Sequence, residues 1–132
     1  VVLMGDFNDS IESTPLQPLI ASQYQDRLNG RSIADMSIED RRSVQRFCLY
    51  DGFEIQEPPM PAERKPSHYF ANKGNVLDYI LLSKDFKLDH DHSLAHVSAY
   101  TVDDRHLIDA HPEQDAECSD HALVMLELEI RF

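Results

Sequence analysis

The sequence predicts an α+β fold, and three observations carry that reading. Short apolar runs of strand length recur from Val1 to Ile130. Helix signals are fewer and fall in the first half of the chain. Polar loops, some longer than about a dozen residues, separate these elements, and loops of that length are uncommon unless they carry function. No internal repeat or low-complexity segment interrupts the pattern.

Taken in order, Val1 to Met4 reads as a short buried strand closed by Gly5, and Asp6 to Ser13 as a polar loop. Thr14-Pro15-Leu16-Gln17 has Thr as N-cap, Pro at the first helical position and Gln three residues after the cap, which predicts a helix to about Ser22. Residues 23–37 are polar and irregular, with a turn signal at Asn29-Gly30. Ile38, Val44 and Phe47 follow an approximate helical spacing, so a second helix is expected from Ile38 to Tyr50, ended by Asp51-Gly52.

Glu57 to Pro66 holds Pro58, Pro59, Pro61 and Pro66 and is expected to be an extended loop. His68 to Ala71 reads as a short strand before a turn at Lys73-Gly74-Asn75. Val76 to Ser83 is the clearest strand of the middle region, apolar except for Asp78. Leu94 to Val102 is a further strand, and Thr101 to Asp120 a long charged loop. Ala122 to Ile130 sets Leu123, Met125, Leu128 and Ile130 against Glu127 and Glu129, the pattern of a sheet strand with one wetter face.

Composition narrows the function classes. The 132 residues suffice for one hydrophobic core, with 42% hydrophobic and 27% charged side chains. Twelve basic against 24 acidic residues give a formal charge of −12. Such a surface repels polyphosphate, whereas nucleic-acid binders usually present a basic face. Carboxylates are also what hard divalent cations require. Cys48 and Cys118 match neither a zinc spacing nor a disulfide framework, which predicts reduced thiols and a cytoplasmic location. The apolar runs are too short to span a membrane. Val1 to Met4 leads straight into Gly5-Asp6 in the manner of an interior strand, so the chain is expected to begin within a larger domain.

Three predicted strand ends carry the chemistry: Gly5-Asp6-Phe7-Asn8-Asp9, Asp78, and Ser119-Asp120-His121. Each has a plainer reading alone. Asp-x-Asn after a strand commonly forms a turn through its own backbone, and Ser-Asp-His before a strand commonly caps it. Asp78 is the most informative, because an unpaired carboxylate in an apolar strand costs several kcal/mol and calls for a partner, at a site most naturally an imidazole N–H. Together they provide a carboxylate and an amide at one strand end and a histidine with an orienting acid. A phosphoester reaction needs such groups for water activation and transition-state charge.

In order and approximate spacing, Gly5-Asp6-Phe7-Asn8, Leu77-Asp78-Tyr79-Ile80 and Ser119-Asp120-His121 resemble the last three motifs of the endonuclease/exonuclease/phosphatase superfamily, over essentially the whole chain (1–132). That resemblance implies one mainly antiparallel β-sheet with flanking helices, half of a four-layer α/β/β/α sandwich of the DNase-I-like fold. It implies Asp6 as the carboxylate that positions the attacking water and approaches the metal, and Asn8 as the amide on the scissile phosphate. It implies His121 as general base or transition-state donor, Asp78 as its orienting carboxylate, and Asp120 as a metal ligand. The implied cofactor is Mg²⁺, with Mn²⁺ possible. The first half of the family domain, which supplies a metal-binding Glu, an earlier Asn and a further catalytic residue, is not in this chain. An incomplete metal site and an uncovered apolar face are therefore expected, the face covered by self-association or by the missing half.

The expected activity is metal-dependent hydrolysis of a phosphodiester or phosphomonoester by in-line water attack, a small phosphoester or lipid head group being at least as suitable as DNA. A non-catalytic interaction module on the same fold is the alternative. Further groups have open readings: Arg64, Lys65 and His68 as phosphate contacts or surface charge, Asp103 to His106 as a substrate loop or solvated turn, and His90, His92 and His96 as a zinc site or surface.

Overall fold

The computed structural model describes residues 1–22, 32–59, 63–88, 92–109 and 117–131. Within them the chain is mixed α and β, with strands β1 (Val2–Asp6), β2 (Tyr50–Asp51), β3 (His68–Phe70), β4 (Lys73–Asn75), β5 (Asp78–Leu82), β6 (Ala95–Asp103) and β7 (Leu123–Ile130), and helices α1 (Ile38–Gln45) and α2 (Arg105–Ile108). All ladders between these strands are antiparallel. The strands are distributed over three small sheets rather than the one expected: β1-β5-β2, β3-β4 and β6-β7. β2 is only two residues long, and the β6–β7 ribbon stacks its side chains on a face of β5 instead of extending the sheet edge.

β5 is the organising strand. Alternation along a strand sends successive side chains to opposite faces, and here both faces are covered. Ile80 and Leu82 pack with Val97, Tyr100 and Val102 of β6, whereas Tyr79 and Leu81 pack with Ile11, Leu16 and Ile20. A strand buried on two sides needs a continuous apolar run, which is what residues 79–82 supply. Leu81 and Leu82 are essentially inaccessible, and burying each contributes about 1.5–3 kcal/mol.

Several expectations are corrected. β1 is present but exposed along its length, an edge strand paired with β5 alone among the described residues. It also runs through Gly5, whose φ is 150°, to end on Asp6. Residues 11–22 form consecutive turns rather than a helix. Leu16 and Gln17 both bond to Ser13 O, but Pro18 has no N–H with which to continue the ladder. The second helix is capped by the Ser37 hydroxyl, which accepts the Asp40 N–H at 3.1 Å, and stops at Gln45 instead of Tyr50. Tyr50 and Asp51 are drawn into pairing with Leu82 and Leu81.

The turn expected at residues 73–75 lies earlier. Ala71 and Asn72 take positive φ angles of 49° and 63°, the conformation of a tight two-residue hairpin, and residues 73–75 return as β4. Gly74 is needed for packing rather than turning, since a Cβ there would collide with the Pro66 ring. The expected 101–120 loop begins later, because β6 continues to Asp103 and α2 follows. The turn signal at Asn29-Gly30 lies outside the described residues. No helix among the described residues is long and apolar enough to cross a membrane.

Candidate functional site

Register assembles the site. The β1–β5 ladder places Asp6, the last residue of β1, directly opposite Asp78, the first of β5. Asp78 thus opens the strand instead of lying within it, which leaves its side chain partly accessible (17%). Like charges directly opposed on a ladder are destabilising, and the compensating group is His121. Its Nδ1 lies 2.8 Å from Asp78 Oδ2, and its Nε2 lies 3.9 Å from Asp6 Oδ2. The hydrogen bond to Asp78 raises the His121 pKa above the ordinary imidazole value; burial opposes the rise, and the charges of Asp78, Asp6 and Asp120 add to it. His121 is therefore biased toward imidazolium, with Nδ1–H donating to Asp78.

The surrounding backbone holds these groups in place. The Ser67 hydroxyl, fully buried, accepts the N–H groups of Leu77 and Asp78 at 3.0 and 3.1 Å. Ala122 N–H donates to Ser67 O at 2.7 Å, which ties the start of β7 to the segment entering β3. His121 and His68 form an isolated antiparallel bridge, so their rings stand side by side, 4.9 Å between centroids and tilted by 38°. The His106 ring completes the frame: Nε2–H lies 3.0 Å from Ser119 O and 3.1 Å from His121 O.

The remaining predicted residues divide. Asp6 Oδ1 accepts the Asn8 N–H at 2.8 Å with Asn8 at φ 53°, so the plainer turn reading of Asp-x-Asn is realised alongside the site geometry. Asn8 lines an open cavity of about 580 Å³ whose wall also includes Asp9, Glu12, Glu54 and Arg64. Asp120 is exposed and does not share a cluster with Asp6. Possible ligand atoms of Asp6, Asp78 and His121 lie within 4.8 Å of one another, and those of His68, Asp120 and His121 form a second such group.

Sequence reasoning underrated the polar residues before β5. Arg64 is not surface charge. It is nine-tenths buried, salt-bridged to the inaccessible Asp51, and set over the rings of Phe53, Tyr100 and Tyr79 at 4.5, 5.1 and 5.3 Å. Lys65 Nζ and the Tyr69 hydroxyl donate to Asp104 at 3.0 and 2.8 Å. Burial raises the Asp104 pKa, but these two bonds outweigh it and hold the carboxyl below its usual range. Asp104 is accordingly tied into the fold, while the exposed Arg105 bonds its neighbour Asp103. His96 faces Glu129 at 3.5 Å across the β6–β7 ladder, and His90 lies outside the described residues. The signal that could have exposed Arg64 is its place among Phe53, Tyr79 and Tyr100, which is invisible until β5 and β6 are brought together.

No protein-family model, curated protein or solved structure matches this chain.

Proposed function

We propose that this chain carries the last three motifs of an endonuclease/exonuclease/phosphatase-type phosphoesterase, within half of a four-layer sandwich, and contributes to hydrolysis of a phosphodiester or phosphomonoester by in-line attack of water. The observation that carries the reading is the meeting of Asp6, Asp78 and His121, which come from three separate motifs. Asp78 orients the imidazole and favours its protonated form, which suits His121 to donate toward a phosphoryl oxygen as charge develops. Asp6, beside Nε2, is the group placed to orient water, and Asn8 stands one turn further along the same loop. The charge of −12 opposes a polyanion, so a small phosphoester or lipid head group is at least as suitable a substrate as nucleic acid.

The Mg²⁺ that the resemblance implies fits these donors poorly. Mg²⁺ demands near-octahedral oxygen coordination. Asp78 Oδ2 is bonded to His121 and Asp6 Oδ1 to the Asn8 N–H, so their cluster offers few free oxygens, and Asp120 lies outside it. The exposed apolar residues of β1 (Val2, Leu3, Met4) and β7 (Leu123, Met125, Ile130) support the second reading, an interaction face covered by another copy or by further domain structure.

The deciding experiment is hydrolysis of bis-(p-nitrophenyl) phosphate by the purified chain with Mg²⁺ or Mn²⁺, against EDTA and His121→Ala controls. Turnover that is lost in His121→Ala is the expected result, and its loss in EDTA would in addition show a metal requirement. Turnover indistinguishable from the controls would sink the claim that this chain is catalytic and favour the interaction module.

A further inference from the structure

Asp120 stands with two imidazoles instead of with Asp6. One potential ligand atom from each of His68, Asp120 and His121 lies within 4.8 Å of the other two. Two zinc–nitrogen bonds at the tetrahedral angle hold their nitrogens roughly 3.3 Å apart, so a modest contraction brings the three donors around one ion. The backbone already sets the arrangement: the His68–His121 bridge places both rings on one side, and Asp120 directly precedes His121. With Nδ1–H of His121 donating to Asp78, release of the Nε2 proton frees that nitrogen for a ligand, the carboxylate–histidine–metal relation found around bound transition ions. His68 Nδ1 is buried and has no hydrogen-bond partner among the described residues. A polar atom so placed is costly without a partner.

Two nitrogens and one carboxylate match borderline cations such as Zn²⁺ or Co²⁺ better than Mg²⁺. We propose that His68, Asp120 and His121 form a binding site for a divalent transition metal of the zinc type, the exposed side of Asp120 leaving a position for solvent. The assignment does not rest on the phosphoesterase reading, and its test requires no turnover.

The test is titration of the chelator-treated full chain with Co²⁺, followed by visible absorption, and with Zn²⁺, followed by calorimetry. One saturable equivalent is expected. Affinity should fall roughly tenfold or more in His68→Ala and in Asp120→Asn, and should stay unchanged in a His92→Ala/His96→Ala variant. Asp120 is exposed, so its substitution reads the site even where His68→Ala disturbs the fold. Absence of saturable binding, parental affinity in Asp120→Asn, or loss of binding in the His92/His96 variant would each overturn the assignment.

Discussion

Two groups of ionised side chains border β5, and they differ in how far water is excluded. At one, Arg64 and Asp51 are withdrawn from solvent and the guanidinium is enclosed by three aromatic rings. At the other, Asp6, Asp78 and His121 stay between about a sixth and a third exposed. Removing one partner of a buried pair strands a charge in low dielectric, whereas a half-open triad is hydrated on its free side. The first group therefore bears on folding and the second is free for chemistry. Both contain a cation and a carboxylate, so composition does not separate an enclosed ionic group from an open one; tertiary burial does.

The largest expected effect falls on the enclosed pair. Arg64→Met should cost about 3–5 kcal/mol by leaving Asp51 buried and uncompensated, read as a lowered midpoint in urea. The double variant Arg64→Met/Asp51→Leu should recover most of that loss. If the single variant loses less than about 1 kcal/mol, the contrast between the two groups fails.

Next is Asp104, whose carboxylate accepts from Lys65 and Tyr69. Asp104→Ala should cost about 1.5–3 kcal/mol, the range for hydrogen bonds to charged groups, and should leave the His121 titration where it was. A shifted His121 titration would show that the two regions are coupled.

At the half-open group the expected change is in titration more than in stability. His121 has a raised folded pKa. Its bond to Asp78 therefore stabilises fully below the unfolded imidazole value of about 6.5 and is lost as pH rises through the folded value. In EDTA, NMR titration should find His121 above ordinary histidine in the parent and lowered toward it in Asp78→Asn. An unchanged titration in that variant would mean that Asp78 does not govern His121. The smallest effect is expected at the cap of α1, where Ser37→Ala should cost about 1 kcal/mol in denaturation with no change at His121.

Legibility in the sequence followed the range of the interactions. β6 and β7 were readable within one residue, and β5 within two, because burial writes period and polarity into short windows. The turns at residues 14–22 were misread as a helix because the Thr14-Pro15 start signal ignored Pro18, and the hairpin turn because Gly74 was given a turning role that belongs to Ala71 and Asn72. At the site, an isolated acid in an apolar run was enough to demand an imidazole partner for Asp78. Ser67, His68 and His106 gave no comparable signal, since each matters through a neighbour distant in sequence.

By itself, then, the sequence determined the mixed α and β character, the strands β5, β6 and β7 and the need of Asp78 for a partner, because these follow from local periodicity and the cost of an unpaired buried charge. Tertiary structure alone decided that Asp6 stands opposite Asp78, that His68 stacks beside His121 and that Arg64 is enclosed. Strand register and sheet stacking set those relations, and both come from long-range pairing that no local window encodes.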